Sequence, residues 1–210
     1  MSNYIEELNW EYATHQFDAA KKVADNDLQT LKDAVQLSAS SYGLQPYKII
    51  VVEDETVKEQ LREAGYNQSQ FTDASAIFVF AHQTDFDSEL IDSYINYAER
   101  IQELESGALD QYANVMKNAL LNLPQEAKAG WTSRQAYIAL GNLLSAAATQ
   151  KIDTCPMEGF DADAFDTILG LKDQNLHAVV VAAVGYRSAD DTMQHAKKVR
   201  RPQEELFITI

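Results

Sequence analysis

The most apolar part of the chain runs from Ala136 to Ala148 and reads AYIALGNLLSAAA. Only Gly141, Asn142 and Ser145 interrupt it, so a helix drawn through this stretch is apolar on every side. The stretch is too short for a membrane span, which needs roughly 20 apolar residues. It therefore predicts a helix that is buried on all sides, in a protein core or in a subunit interface.

Apolar runs and amphipathic stretches on either side of this helix predict the remaining elements. The predicted strands are Tyr47–Val52, Ala76–Ala81, His177–Val184 and a final strand at Leu206–Ile210. The predicted helices cover about 27–38, 54–64, 85–105, 109–123, 124–150 and 161–169. The strands are few and their connections are long and helical, so we expect an α+β or α/β fold with a small mixed sheet. No repeat or linker divides the chain, which predicts a single domain over residues 1–210.

Composition excludes several classes of protein. The chain has 17 Lys and Arg against 32 Asp and Glu, a formal net charge of −15, which argues against nucleic-acid binding. Its one cysteine, Cys155, cannot form an intrachain disulfide, and the N-terminal MSNYIEE lacks the apolar run of a signal peptide. We therefore expect a cytoplasmic protein with no membrane association.

Familiar catalytic motifs are absent from the sequence. It has no Gly-x-Gly-x-x-Gly after a strand, no phosphate-binding Walker loop, no His-Glu-x-x-His and no paired cysteines, so we expect no metal site. Three local segments remain as candidates for chemistry: Ser38–Pro46, Cys155–Phe160 and Lys197–Pro202.

Each of these segments has a functional and a structural interpretation. The first is rich in hydroxyl groups that can bond a polar heterocycle or a ribityl chain, and the second can present a backbone N–H to a ligand. For both, taken alone, an ordinary turn or loop is the favoured interpretation. The third, Lys197–Pro202, is a basic cluster in an acidic chain. A phosphate partner and a solvated tail explain it about equally well.

Taken together and in order, these segments resemble the oxygen-insensitive NAD(P)H nitroreductase and dihydropteridine reductase family. The resemblance covers nearly the whole chain. The matching pieces are Tyr12-Ala13-Thr14 with Phe17-Asp18, Ser40-Ser41, Gln45-Pro46, Asn67, Asp73-Ala74-Ser75, Trp131, Gln135, Gly141-Asn142, Pro156–Phe160 and Lys198–Gln203. The resemblance implies a nitroreductase-like fold, in an intertwined homodimer that exchanges its C-terminal strand and uses the long apolar helix as its dimer core.

The resemblance also implies noncovalent FMN at the subunit interface and a set of residues that bind it. Ser40, Ser41 and Gln45 would line the flavin and its ribityl chain, with some of them donated across the dimer. The backbone N–H of Glu158 or Gly159 would face the flavin N5. The full set of implied cofactor-binding residues is Tyr12, Ala13, His15, Ser40, Ser41, Gly43, Gln45, Asn67, Gln70, Pro156, Met157, Glu158, Gly159, Lys198 and Arg200.

Among these, Asn67 would bond the pyrimidine side of the ring, Pro156 and Met157 would pack against the ring, and Lys198 and Arg200 would hold the phosphate.

Three positions depart from the family pattern. Family members usually carry Arg at the position of Glu11 and Lys at that of His15, and many carry Lys at that of Gln70. A glutamate beside a phosphate repels it, so we expect Glu11 to turn away or Lys198 and Arg200 to neutralise the phosphate alone. His15 and Gln70 can still donate hydrogen bonds but bring no fixed positive charge, which predicts a lower flavin potential and weaker FMN binding.

The function implied by the resemblance is ping-pong hydride transfer through the flavin N5. NADH or NADPH is the implied donor, and nitroaromatics, quinones or related small molecules are the implied acceptors. No catalytic side chain is required by this chemistry, because the protein binds, orients and tunes the cofactor. Two alternatives stay open: a homologue with weakened or lost FMN binding that acts as a non-catalytic binding module, and a flavin reductase for pteridine or enone substrates.

Overall fold

The structure is a computed structural model that describes residues 4–210. Its helices are α1 (Tyr4–Trp10), α2 (Asp25–Gln36), α3 (Glu55–Ala64), α4 (Gln70–Asp73), α5 (Ser88–Ile101), α6 (Asp110–Leu120), α7 (Gln125–Thr149), α8 (Ala162–Leu169) and α9 (Gln203–Leu206). Its strands are β1 (Tyr47–Val52), β2 (Ala76–Gln83), β3 (Asp153–Met157) and β4 (Leu176–Gly185). Short 3₁₀ turns lie at Ser41–Gly43, Lys172–Gln174 and Thr192–His195.

The strands form one sheet in the order β1-β2-β4-β3, and the α+β fold is confirmed. All neighbouring strands of this sheet are antiparallel, in contrast to the mixed sheet that we expected. Within residues 4–210, parallel pairing is limited to an isolated bridge between Ala13 and Thr154. Buried apolar runs look alike in parallel and antiparallel strands, so the sequence pattern carried no information on strand direction.

Two apolar layers cover the two faces of this sheet. Successive side chains of β2 point to opposite faces, and all of its residues except the last are buried. Phe78 and Phe80 face α2 and α7, whereas Ile77 faces a cluster that contains Phe71 of α4 and Phe165 of α8. The long apolar helix α7 thus packs, together with α2, on one face of the sheet.

Helices α5 and α6 pack on each other, and Phe86, Leu44 and Met116 belong to their separate apolar cluster. Helix α5 begins at Ser88, later than predicted, because the Asp87 side chain accepts a hydrogen bond from the N–H of Glu89 and caps the helix there. Within residues 4–210, no helix combines the length and the apolar character needed to cross a bilayer.

Two strand predictions differ from the structure. The sequence did not predict β3, because Pro156 argues against a strand; β3 lies at the sheet edge, where a proline is tolerated. The predicted strand at Leu206–Ile210 is absent from the described chain, in which α9 ends at Leu206 and 207–210 has no regular structure. A strand needs a hydrogen-bonding neighbour, and none of the described strands pairs with this segment.

The contact between Gly65 and Phe71 provides a test of this packing. A Cβ at Gly65 would lie 2.2 Å from Cε2 of Phe71, which is fully buried. We expect Gly65→Ala to lower the free energy of unfolding by about 1–3 kcal/mol, the usual cost of overpacking. Urea denaturation followed by circular dichroism measures this change.

Gly130→Ala is the matched control, since its Cβ would meet only the tip of Arg134, at 3.7 Å. Gly130 lies inside α7, so alanine should stabilise the helix by up to about 1 kcal/mol. Equal stability of the two variants would contradict the packing described for Gly65.

Candidate functional site

A cleft of about 390 Å³ lies between the end of α1 and the basic segment near the C-terminus. Its lining includes residues discussed from the sequence, among them Glu11, Tyr12, Ala13, His15, Lys198 and Arg200. Lys197 also lines this cleft, so three cationic side chains share it. Folding therefore brings together two segments that the sequence analysis linked only through a resemblance.

Asp191 fixes one wall of this cleft. Its carboxylate is 1% exposed, and its Oδ2 accepts hydrogen bonds from the backbone N–H of His15 at 2.8 Å and of Gln16 at 3.2 Å. Oδ2 also accepts from the hydroxyl of Tyr12 at 3.1 Å, and Oδ1 accepts from the N–H of Met193 at 3.0 Å. Burial alone would raise the pKa of Asp191, but these donors outweigh it and lower the pKa.

The wall that contains Tyr12 continues into strand β3. Ala13 forms a bridge with Thr154, and the N–H of Thr14 donates to the carbonyl oxygen of Thr154 at 3.0 Å. The guanidinium of Arg187 lies 4.4 Å from the centre of the Tyr12 ring. Through this bridge, the cleft is joined to the strand that leads into Pro156–Gly159.

The segment that ends β3 is held from the side of α7. Met157 is buried, Pro156 is half-buried, and Glu158 and Gly159 are exposed. The hydroxyl of Tyr137, on α7, donates to Oε1 of Glu158 at 2.5 Å. Burial, and then the carboxylate of Glu158, raise the pKa of Tyr137 to about 12, so this hydroxyl keeps its proton at neutral pH.

Gln68 joins Asn67 and Gln70 to the same loop. Its Nε2 donates to the carbonyl oxygen of Gly159 at 2.7 Å and to that of Gly65 at 2.9 Å. Asn67 has a φ of 59°, a left-handed conformation that asparagine tolerates better than most residues. The segment from Asn67 to Gln70 is therefore held against Gly159 by Gln68, and Asn67 gives its backbone a left-handed turn.

The loop that contains Ser40 and Ser41 is held by a different set of contacts. The N–H of Ser41 donates to Oε1 of Gln135 on α7 at 2.8 Å, and the N–H of Gln45 donates to Oγ of Ser40 at 3.0 Å. Gly43 has a φ of 76°, and a Cβ there would lie 2.6 Å from the hydroxyl oxygen of a tyrosine on α5. The turn therefore needs glycine at this position.

Strained backbone marks two of the predicted segments. Tyr42 (φ 57°) and Gln45 (φ 42°) lie in the first loop, and Tyr66 (φ 56°) lies beside Asn67 (φ 59°) in the second. Such conformations cost roughly 1–3 kcal/mol each and persist only where the surroundings impose them. Both loops are thus held in place by the fold.

The structure brings together most, but not all, of the predicted site residues. The N-terminal and basic segments share one cleft, and the segments containing Pro156–Gly159 and Asn67 are tied to each other. Within residues 4–210, no hydrogen bond or ion pair joins Ser40–Gln45 to either group; its bonds run to α2, α7 and Tyr47. The loop reaches the other segments only through α7.

Glu11 does not turn away from the basic segment. Its Oε2 lies 3.1 Å from Nζ of Lys198 and forms an ion pair with it. The Lys198 ammonium also donates to the carbonyl oxygen of Leu8 at 2.5 Å. Arg200 forms a hydrogen bond from Nη1 to the carbonyl oxygen of Val199 and is exposed to solvent.

Sequence reasoning missed the residues that hold these segments. Gln135 was noted only as part of the family pattern, and the roles of Tyr137, Gln68 and Asp191 were not predicted. Tyr137 gave a signal, since its hydroxyl lies within the apolar stretch Ala136–Ala148. Gln68 and Asp191 gave none, because the partners that matter here, Gly159 for Gln68 and Tyr12–Gln16 for Asp191, are remote in sequence.

Cys155 lies in β3, beside the proposed cofactor loop. Burial, and then the charge of Asp191, raise the pKa of its thiol to about 11, so the thiol stays protonated at neutral pH and is a poor nucleophile. Among the described residues, no group of three or more His, Cys, Asp and Glu side chains could hold a metal ion.

A larger cleft of about 730 Å³ lies next to α5. Asp85, Asp87 and Glu89 line it together with a single cation, Lys128. Carboxylates repel a phosphate, so this cleft suits an anionic cofactor less well than the smaller basic one, despite its size.

With this geometry in view, comparison with known proteins gives the family. Residues 10–186 match the model of the Nitroreductase family, and the chain belongs to that family. A protein of Staphylococcus haemolyticus, named as a candidate NAD(P)H nitroreductase, is 33% identical over 211 residues, covering 97% of this chain and 95% of its own length.

Two solved structures share the fold. One, from Staphylococcus epidermidis, is described as a candidate NAD(P)H:FMN oxidoreductase and has a TM-score of 0.88 at 22% identity, over 100% of this chain and 97% of its own. The other, from Exiguobacterium sibiricum, is a candidate nitroreductase in complex with FMN and has a TM-score of 0.85 at 18% identity, over 100% of this chain and 98% of its own.

Asp191 provides a test of how the cleft is held. In Asp191→Asn the amide NH₂ replaces one acceptor among several N–H and O–H donors, so we expect a loss of roughly 2–3 kcal/mol at neutral pH. The folded pKa of Asp191 lies below its usual value of 3.8, so its stabilisation is present above that value and is lost as the pH falls through the folded pKa. Urea denaturation at pH 7 and near pH 3 should show this difference shrinking in acid.

The exposed neighbour Asp190 is the control, because Asp190→Asn removes the same charge without a buried partner. It should leave the stability at pH 7 nearly unchanged. If both variants lost the same stability at pH 7, the role assigned to Asp191 would be wrong.

Proposed function

We propose that the chain is an FMN-dependent oxidoreductase that takes electrons from NADH or NADPH and reduces small-molecule acceptors such as nitroaromatics or quinones. The observation that carries this proposal is the basic cleft, in which Lys197, Lys198 and Arg200 meet the Tyr12–His15 segment. Membership of the nitroreductase family and the FMN named for a protein of the same fold support it.

The residues present fit FMN. Three cations in one cleft match a phosphate group, which carries up to two negative charges at neutral pH. At Gly159, a Cβ would meet nothing closer than Nε2 of Gln68 at 4.0 Å, so the loop leaves room for a flat ring beside its backbone. Lys198 and Arg200 would hold the phosphate, and Glu158 or Gly159 would offer a backbone N–H to N5 of the ring.

The family resemblance supports roles for the remaining predicted residues in binding the flavin. Asn67, Gln70 and His15 would donate to the pyrimidine edge of the ring, Pro156 and Met157 would pack against the ring, and Tyr12 and Ala13 would line the phosphate side. Ser40, Ser41, Gly43 and Gln45 would bind the flavin of the partner subunit, because their contacts in this chain do not reach the cleft.

When bound, FMN would supply hydride transfer between a nicotinamide and an acceptor, and the side chains of the protein would orient it and exclude water. Tyr137 keeps the Glu158 carboxylate turned towards α7, which fixes the backbone N–H groups of that loop. Asp191 keeps the Tyr12–His15 segment in place beside the phosphate site. No side chain is assigned a proton-transfer role in this proposal.

We further propose that one FMN-binding domain spans the chain and that it works as a homodimer. One stripe of helix α7 is not covered by the rest of the chain, and in it Tyr137 is 37% and Ile138 46% exposed. In the C-terminal segment, Phe207 and Ile208 are 65% and 90% exposed. Monomeric proteins seldom expose large contiguous patches of apolar side chains, which usually mark a surface that binds a partner. A groove of about 410 Å³ beside β1, an edge strand, could take the C-terminal segment of a second copy.

A second candidate function is a non-catalytic binding module that has lost FMN. The pairing of Lys198 with Glu11 favours it, because this cation already has an anionic partner. The cytoplasmic location and the identity of the acceptor stay predictions from the sequence and from the resemblance.

The visible spectrum of the purified protein, with and without added FMN, separates the two functions. We expect flavin absorption bands that bleach under anaerobic conditions when NADH or NADPH is added, because the basic cleft holds the cofactor. A colourless protein that does not bind added FMN would contradict the enzyme proposal and support the non-catalytic binding module.

Sedimentation velocity tests the dimer. Ile138→Asp puts a charge into the uncovered stripe of α7, and we expect it to convert a dimer into a monomer, since an unpaired buried charge costs several kcal/mol. Val115→Asp on α6, where the valine is 53% exposed, is the control and should remain a dimer. A wild-type monomer, or an Ile138→Asp dimer of unchanged affinity, would contradict the proposed interface.

A further inference from the structure

Lys198 has an internal anionic partner in the cleft that is proposed for the FMN phosphate. Its ammonium has three N–H donors, of which one bonds to Oε2 of Glu11 at 3.1 Å and one to the carbonyl oxygen of Leu8 at 2.5 Å. The side chains of Lys198 and Glu11 are only 19% and 17% exposed, so solvent screens this pair less than it screens a surface ion pair.

Arg200 differs from Lys198 in this respect. Its guanidinium is exposed and donates to the carbonyl oxygen of Val199, and no carboxylate pairs with it among the described residues. A guanidinium has five N–H donors, so several remain for an anion. Of the three cations of the cleft, Arg200 is therefore open to a phosphate, whereas Lys198 is held by a carboxylate.

We propose that Glu11 is a specificity-determining residue that competes with the flavin phosphate for Lys198 and so reduces the advantage of FMN over unphosphorylated riboflavin. The inference rests on the proposed function. A phosphate that approaches Lys198 must displace the Glu11 carboxylate or lie beside it, and either arrangement costs free energy. Riboflavin has no phosphate and meets neither cost.

Glu11→Gln keeps the size of the side chain and removes the competing charge. We expect it to tighten FMN binding by about tenfold, equivalent to about 1.4 kcal/mol, and to change riboflavin binding by less than about twofold. The gain for FMN should shrink as salt is added, because screening weakens the repulsion that the substitution removes.

The measurement is quenching of flavin fluorescence by the full-length protein after its bound flavin has been removed. FMN and riboflavin are titrated separately into the wild type, Glu11→Gln and a control, Glu63→Gln. Glu63 is an exposed residue of α3 that does not line the cleft, so this control changes the net charge equally. Thermal melting of each variant shows that the flavin-free proteins are folded.

A selective gain for FMN in Glu11→Gln, absent from Glu63→Gln, supports the proposal. Unchanged or weaker FMN binding overturns it, and so does an equal gain for both flavins, which would indicate a change of shape rather than of charge. In both of these outcomes the wild type still binds FMN, so only the inference about Glu11 fails and the proposed function is not contradicted. If neither the wild type nor Glu11→Gln binds FMN, the proposed function and the inference both fail.

Discussion

The packing of α7 on the sheet is the interaction on which the rest of the structure depends. Ala136, Ala139, Leu143 and Ala147 of this helix are fully buried against the side of the sheet that carries Phe78 and Phe80. Small side chains let a helix approach a sheet closely, and burial of the large apolar side chains opposite them supplies much of the stability. Because α7 is fixed in this way, its polar side chains have fixed positions relative to the sheet.

Those polar side chains connect the fold to the candidate site. Gln135 accepts a hydrogen bond from the N–H of Ser41, and the Tyr137 hydroxyl donates one to Glu158. Two loops that are remote in sequence are therefore positioned by the same helix. Asp191 serves the same purpose for the Tyr12–His15 segment. Loops held by several directed hydrogen bonds can keep donors ready for a cofactor without reorganisation on binding.

Much of the fold could be predicted from the sequence, because burial patterns report helices and strands directly. The predicted strand Tyr47–Val52 coincides with β1, and the long helix 124–150 corresponds to α7. Strand β3 was missed because Pro156 masks it, and the direction of the strands is not encoded in apolar runs. The C-terminal segment Leu206–Ile210 has a strand-like composition, but the described chain provides no neighbour with which it could pair.

The candidate site was predicted less completely, and for a different reason. Residue types suited to a flavin and a phosphate could be read from the sequence with the help of the family resemblance. Their partners could not, because the contacts of Gln68 with Gly159 and of Lys198 with Glu11 span 91 and 187 positions. Glu11 shows the consequence. We expected that it turns away from the phosphate site or that Lys198 and Arg200 neutralise the phosphate alone, whereas in the structure it forms an ion pair with Lys198.

Hydrogen–deuterium exchange with and without FMN tests the central claim most directly, which is that the segments held by α7 and Asp191 form a flavin site. The account predicts slower amide exchange on FMN binding in three segments: Tyr12–His15, which Asp191 holds, and Ser40–Gln45 and Pro156–Gly159, which α7 holds. Protection confined to the acidic cleft around Asp85 and Glu89, or no protection in any of the three, would contradict it.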